Sequence, residues 1–82
     1  MPKAQVIVYS RPGCHLCDKV KAAILRADCP NRFTLEEINI ENDPVLLERY
    51  QNDIPVVMIN GIERFRHRVD TSEFEKKLSQ MQ

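Results

Sequence analysis

Gln5-Val6-Ile7-Val8-Tyr9 is a nearly unbroken apolar run rich in β-branched residues. Such a run predicts a strand buried on both faces, in a sheet covered by helices. Arg11-Pro12-Gly13 ends it. Leu16, Val20, Ile24 and Ala27 then recur at helical spacing, with Asp18, Lys19, Lys21 and Arg26 between them. This predicts an amphipathic helix beginning near Cys14. It should fail by Cys29-Pro30-Asn31, because a residue before proline avoids helical backbone. Phe33, Leu35, Ile38 and Ile40 mark a second strand from Phe33 to Ile40, with an irregularity expected at Glu36-Glu37. Asp43-Pro44 suits a helix start, since aspartate caps and proline fits the first helical position. Leu46, Leu47 and Tyr50 give that helix its apolar side, and it should stop by Asn52-Asp53.

Pro55-Val56-Val57-Met58-Ile59 predicts a third strand, and Asn60-Gly61 a tight hairpin whose central residues both need positive φ. Ile62 to about Arg66 returns as the antiparallel partner. Asp70-Thr71-Ser72-Glu73 opens a last helix with a buried stripe of Phe74, Leu78 and Met81. Either Asp70 with Glu73 or Ser72 with Glu75 has capping-box spacing. The order β-α-β-α-β-β-α predicts an α/β fold: a four-stranded mixed sheet with helices on both faces. Its two βαβ-like steps favour parallel pairing through right-handed crossovers. Residues 1–82 carry no internal repeat or linker, so one domain is expected.

Length and charge narrow the function. A chain of 82 residues buries only about 60% of its unfolded surface, so its core is thin. Twelve basic and twelve acidic residues give zero net charge, which argues against a general nucleic-acid binder. The longest apolar runs, Val6–Tyr9 and Ile54–Ile59, fall far short of the roughly 20 residues of a membrane helix. Met1-Pro2-Lys3-Ala4 leads straight into a strand without a secretory apolar region, so the cytoplasm is the expected compartment; the protein is expected to act as a monomer.

The chain has three cysteines, two of them in Cys14-His15-Leu16-Cys17. Such a small, odd number does not form a disulfide framework. Cys14 falls where the first helix begins, and unpaired N–H groups and the helix dipole stabilise an anion there. Arg11 and His15 add positive charge nearby. His15 reads equally well as an exposed first-turn residue. A cysteine so placed ionises well below the ordinary thiol value of roughly 8.5. Cys17, one turn deeper, should be less acidic and less exposed. The asymmetry assigns Cys14 as the attacking nucleophile and Cys17 as the resolving thiol.

A metal site is the competing reading, with Cys14, Cys17, Cys29 and His67 as ligands on paper. Cys29 would lie about 18 Å along the helix from Cys17, too far for one mononuclear site, so no metal is expected. Cys29 reads as a loop-edge thiol, Arg64, Arg66 and Arg68 as a solvated edge strand, and Glu36, Glu37, Glu41 and Glu48 as a solvated acidic face.

Val6–Leu25, VIVYSRPGCHLCDKVKAAIL, resembles the opening of a glutaredoxin, and residues 53–61, DIPVVMING, resemble that family's proline-strand-turn segment. Arg-Pro-Gly followed by C-x-L-C is similar to the compact glutaredoxin-like proteins of bacteria. The resemblance implies a thioredoxin-like fold, thiol–disulfide exchange with a protein disulfide or a reductase, and no organic cofactor. It also implies a cis Ile54-Pro55 bond in a loop facing the cysteines, with Ile54 pairing with the substrate backbone. Taken alone, Pro55 would read as an ordinary trans proline opening a strand. Asp70 matches the family's acidic residue beyond the last strand. Two departures bear on glutathione as reductant. His67-Arg68 stands near the usual Gly-Gly pair, and Leu16 replaces an aromatic residue before the second cysteine. Both predict poor glutathione binding. Rival readings are a soluble copper, zinc or iron–sulfur carrier and a non-catalytic binding module.

Overall fold

The computed structural model describes residues 4–27 and 33–80. Cys29, the expected helix stop at Cys29-Pro30-Asn31 and Met81 lie outside the described residues. The elements run β1 (Ala4–Ser10), α1 (His15–Leu25), β2 (Phe33–Asn39), a 3-10 turn (Ile40–Asn42), α2 (Pro44–Tyr50), β3 (Val56–Ile59), β4 (Ile62–Arg66) and α3 (Thr71–Gln80).

The strands form one sheet in the order β2-β1-β3-β4. β1 and β2 are parallel, whereas β3 is antiparallel to β1 and β4 antiparallel to β3. The second crossover therefore does not yield a parallel pair. α2 has seven residues and rises only about 10 Å, while β2 also has seven and extends about 23 Å. The helix is too short to carry the chain back along the strand, so β3 makes the return itself.

Alternation along β1 divides the core. Ala4, Val6 and Val8 are buried against Val20 and Ile24 of α1, Phe74 and Leu78 of α3, and Val57 and Ile59 of β3. The opposite face packs Tyr9, Val56 and Met58 against Tyr50, Leu46 and Leu47 of α2. Tyr9 and Tyr50 stack with ring centroids 5.1 Å apart, and burial, then Tyr50, pushes the Tyr9 hydroxyl above its ordinary pKa. β1 is not fully buried on both faces: Gln5 is exposed and Ile7 half-buried. The short α2 covers less of the sheet than α1 and α3 do.

The irregularity expected at Glu36-Glu37 is absent, and β2 pairs continuously from Ala4↔Phe33 to Ser10↔Asn39. Glu37 interrupts the apolar pattern because Ser10 Oγ and Lys21 Nζ donate to its carboxylate at 2.9 and 3.2 Å. The irregularity lies in β4 instead. Ile59 pairs with Ile62 and Val57 with Phe65, with a register shift between Val57 and Met58. The bulge puts Ile62 and Phe65 on the same face, and Phe65 packs on the main core. It also ends the alternation of Arg64, Arg66 and Arg68. Arg66 pairs with Glu63 and Asp53, Arg64 lies within the bulge, and Arg68 lies beyond the strand.

The caps follow local chemistry. Asp43 Oδ1 accepts from the N–H groups of Val45 and Leu46. Asn60 and Gly61 have φ of 52° and 81°, as their hairpin requires. Of the two spacings open for α3, Asp70 is the cap: its Oδ1 accepts from Ser72 N–H at 3.2 Å. Thr71 Oγ1 donates to the Ala23 carbonyl at 2.8 Å. Ala27 N–H turns to Ile24 O, so Thr71 supplies a partner to a carbonyl at the end of α1.

Candidate functional site

The topology gathers four segments at one end of the sheet. Ser10 ends β1 beside Asn39, which ends β2. Because β3 is antiparallel to β1, with Tyr9 opposite Val56, Ile54 and Pro55 enter the sheet at that same end. Arg66 ends β4 opposite Val56, and His67 N–H donates to Pro55 O at 2.7 Å. The cysteine loop, the proline loop and the turn before α3 are thus neighbours.

Cys14 N–H donates to Arg11 O at 3.3 Å, closing the Arg11-Pro12-Gly13 turn. Gly13 lies at φ 77°, a left-handed conformation that glycine adopts without a Cβ penalty. Cys14 is the N-cap of α1, and its Sγ accepts Cys17 N–H at 3.1 Å. Cys14 and Cys17 are joined in a disulfide, with Cα atoms 5.2 Å apart. Cys14 is half-buried, while Cys17 is 1% exposed. Cys14 therefore keeps some exposure at a helix N-terminus, whereas Cys17 is buried in the core.

The buried stripe of α1 differs from the expected one. Cys17, Val20 and Ile24 face inward, and Leu16 is 47% exposed. With the helix starting at His15, a wheel through Val20 and Ile24 passes through Cys17 rather than Leu16.

The remaining predicted residues are distributed unevenly. Arg11 is held by Glu41, whose Oε2 accepts from Nε at 3.2 Å and from Nη2 at 3.0 Å. Its charge is thus shared with a carboxylate that the sequence had suggested was merely solvated. His15 is exposed in the first turn of α1. Pro55 is fully buried and Ile54 packs on the smaller core, and the bond between them is cis. Asp70 is occupied as the α3 cap.

His67 has φ 68°, and Arg68 N–H donates to Arg66 O at 2.7 Å, which makes a γ-turn centred on His67. The Cβ of a histidine disfavours positive φ, yet the backbone takes the left-handed region favoured by glycine. The hydrogen bond to Pro55 O helps hold it there.

Two depressions flank the start of α1. One, of about 330 Å³, is lined by Ser10, Arg11, Pro12, Gly13, Asp18, Lys21, Glu37 and Asn39. Burial alone would raise the Glu37 pKa, but hydrogen bonds from Lys21 and Ser10 outweigh it and hold the carboxyl below its ordinary value. The other, of about 390 Å³, lies between Leu16, Lys19 and Val20 of α1 and the His67-Arg68-Val69 turn. Lys19, Val20 and Val69 carried no functional signal in the sequence, where a lone lysine or valine is indistinguishable from surface or core. Among the described residues, no group of three or more His, Cys, Asp or Glu side chains is placed to hold a metal ion. No helix among them is long and apolar enough to cross a membrane.

Comparison with known proteins agrees with this architecture. Residues 5–79 match the model of the glutaredoxin-like domain. A glutaredoxin-like protein of Dictyostelium discoideum is 46% identical over 68 residues, which make up 76% of this chain and 63% of that protein's length. The chain thus spans less than two thirds of that relative. The solution structure of a Nitrosomonas europaea protein superposes with a TM-score of 0.79 at 26% identity, covering 94% of this chain and 93% of the other. A chloroplastic thioredoxin z superposes with a TM-score of 0.77 at 11% identity, covering 96% and 78%. That likeness is one of fold, and the fold is thioredoxin-like.

Proposed function

This chain belongs to the glutaredoxin-like family, and on that premise we propose that it is a thiol–disulfide oxidoreductase acting through Cys14 and Cys17. The carrying observation is the asymmetry of the pair: Cys14 caps α1 and is half-buried, whereas Cys17 is buried one turn on. In the reduced protein the Cys14 thiolate attacks one sulfur of a substrate disulfide. A Cys14–substrate bond forms and the substrate's other sulfur leaves as a thiolate that takes up a proton. Cys17 then loses its proton and attacks Cys14 Sγ. This expels the second substrate thiol and leaves the Cys14–Cys17 disulfide. Two electrons and two protons pass to the substrate, and an external thiol reductant restores the dithiol.

The helix N-terminus favours the attacking anion, because the N–H that reaches Cys14 Sγ in the disulfide is a ready donor to the thiolate. Ile54, ahead of β3 at the same end of the sheet, is the residue whose main chain would meet an extended substrate. Arg11 and His15 are the candidate sources of additional positive charge. Asp70 retains a binding role only through the carboxylate oxygen that does not cap α3. The partner is a protein disulfide or a reductase in the reducing cytoplasm, met by a monomer that carries no organic cofactor, and glutathione alone is a poor reductant.

Single-turnover mixing of the reduced protein with a model disulfide tests this reading. One disulfide should be reduced per Cys14–Cys17 pair, with Cys14→Ser inactive. Failure to reduce any disulfide, together with stoichiometric metal after anaerobic purification, would favour a metal carrier.

A further inference from the structure

The groove between Leu16, Lys19 and Val20 and the His67-Arg68-Val69 turn differs electrostatically from the rest of the site. Near the cysteine loop, Arg11 pairs with Glu41, Lys21 with Glu37 and Asp18, and Arg66 with Glu63 and Asp53. Among the described residues, no carboxylate forms an ion pair with Lys19 or Arg68, and both side chains are exposed. In a chain of zero net charge, two exposed cations without an ion-pair partner among the described residues therefore line one groove beside α1. The same groove has an apolar component, since Leu16 is 47% exposed beside Val20 and Val69.

We propose that this groove receives a segment of the partner protein in which acidic and apolar residues flank the reacting cysteine. The inference rests on the exchange reading above and names its substrate class. Lys19 and Arg68 supply charge complementarity, which steers encounter and fixes orientation. Leu16, Val20 and Val69 supply a surface whose burial favours an apolar side chain. Glutathione meets only half of this requirement: it has carboxylates but no apolar side chain to cover Leu16. Lys19 and Arg68 are thus specificity determinants for the exchange reaction.

The test uses the reduced protein and three peptides, each a mixed disulfide with nitrothiobenzoate. The sequences are Leu-Asp-Cys-Asp-Leu, Leu-Lys-Cys-Lys-Leu and Ser-Asp-Cys-Asp-Ser. Attack at the peptide sulfur expels nitrothiobenzoate, the better leaving group, and its absorbance gives the rate. At low ionic strength the acidic–apolar peptide should react about tenfold faster than the lysine peptide, a ratio that collapses with added salt. It should also outpace the serine peptide and a glutathione mixed disulfide. The double variant Lys19→Glu/Arg68→Glu should invert the acidic-to-basic ratio, while Lys76→Glu on α3 leaves it as in the parent. A parent ratio near unity, a ratio insensitive to the double reversal, or a glutathione mixed disulfide reacting as fast as the acidic–apolar peptide would overturn the inference with exchange chemistry intact. No release from any of these compounds would remove the exchange reading and the inference together.

Discussion

The sulfur of Cys14 accepts the backbone N–H of Cys17 at 3.1 Å, so the first sulfur of the pair caps the helix that carries the second. This single contact links the chemistry of the site to the start of α1. Ser, Thr, Asp and Asn are the usual occupants of the cap, because their side chains satisfy N–H groups left unpaired in the first turn. Here sulfur takes that position, and in the proposed exchange reaction the same N–H would donate to the Cys14 thiolate.

The division of labour follows. Cys14→Ser is expected to abolish exchange, and Cys17→Ser to accumulate a stable mixed disulfide with substrate, resolved by non-reducing electrophoresis. Alkylation of the reduced protein at about pH 6, where an ordinary thiol is protonated, should label Cys14 first. Prior labelling of Cys17 would reverse the assignment.

Arg11 and Glu41 form an exposed pair at 3.0 Å, and their effects on Cys14 should oppose each other. Arg11→Ala leaves the Glu41 carboxylate uncompensated and should raise the apparent Cys14 pKa. Glu41→Gln releases the guanidinium and should lower it. The double variant should return close to the parent, because the pair is nearly neutral from a distance. Solvent screens both groups, so each single shift is expected to be small. The pH dependence of iodoacetamide alkylation reads all three, and shifts of one sign in both single variants would refute the opposition.

Glu37 ties β2 to α1 and β1 through Lys21 and Ser10, and its pKa is lowered in the folded protein from a reference of 4.5. A lowered carboxyl contributes stability that is present above the unfolded value and lost as pH falls through the folded one. The difference in urea midpoint between the parent and Glu37→Gln should therefore be constant near neutrality and shrink below about pH 4.5. With 41% of the Glu37 side chain exposed, the corresponding difference in unfolding free energy should remain under about 1 kcal/mol. A difference that grows on acidification would contradict the linkage.

Thr71→Val removes the 2.8 Å hydrogen bond to the Ala23 carbonyl while keeping the side-chain shape. A loss of about 1 kcal/mol in unfolding free energy is expected, since a half-buried carbonyl loses its partner. Urea denaturation monitored by far-ultraviolet circular dichroism would measure it. An unchanged midpoint would mean that water replaces the hydroxyl at no cost.

Much of this protein was legible along the chain because its signals act over a few residues. Asp43-Pro44 starts α2 as a cap followed by a preset φ, and Asn60-Gly61 turns the hairpin because both residues tolerate positive φ. Cys14 and Cys17 are three residues apart, so one helical turn suffices to bring their sulfurs together. What depends on distant partners was decided only by the folded chain. The partner of Arg11 lies 30 residues away, and the acids that the sequence left solvated include both Glu41 and the interstrand Glu37. The direction of β3 was set by the reach of a short helix against a longer strand, a comparison that no local pattern contains. The bulge that turns Phe65 inward and the hydrogen bond from His67 to Pro55 arise where β4 must match β3. Lys19 and Arg68 are 49 positions apart in sequence, and only packing α1 beside the turn after β4 makes them two walls of one groove. Short-range propensity sets the elements; the choice among long-range pairings is made by burial and by the geometry left once those elements meet.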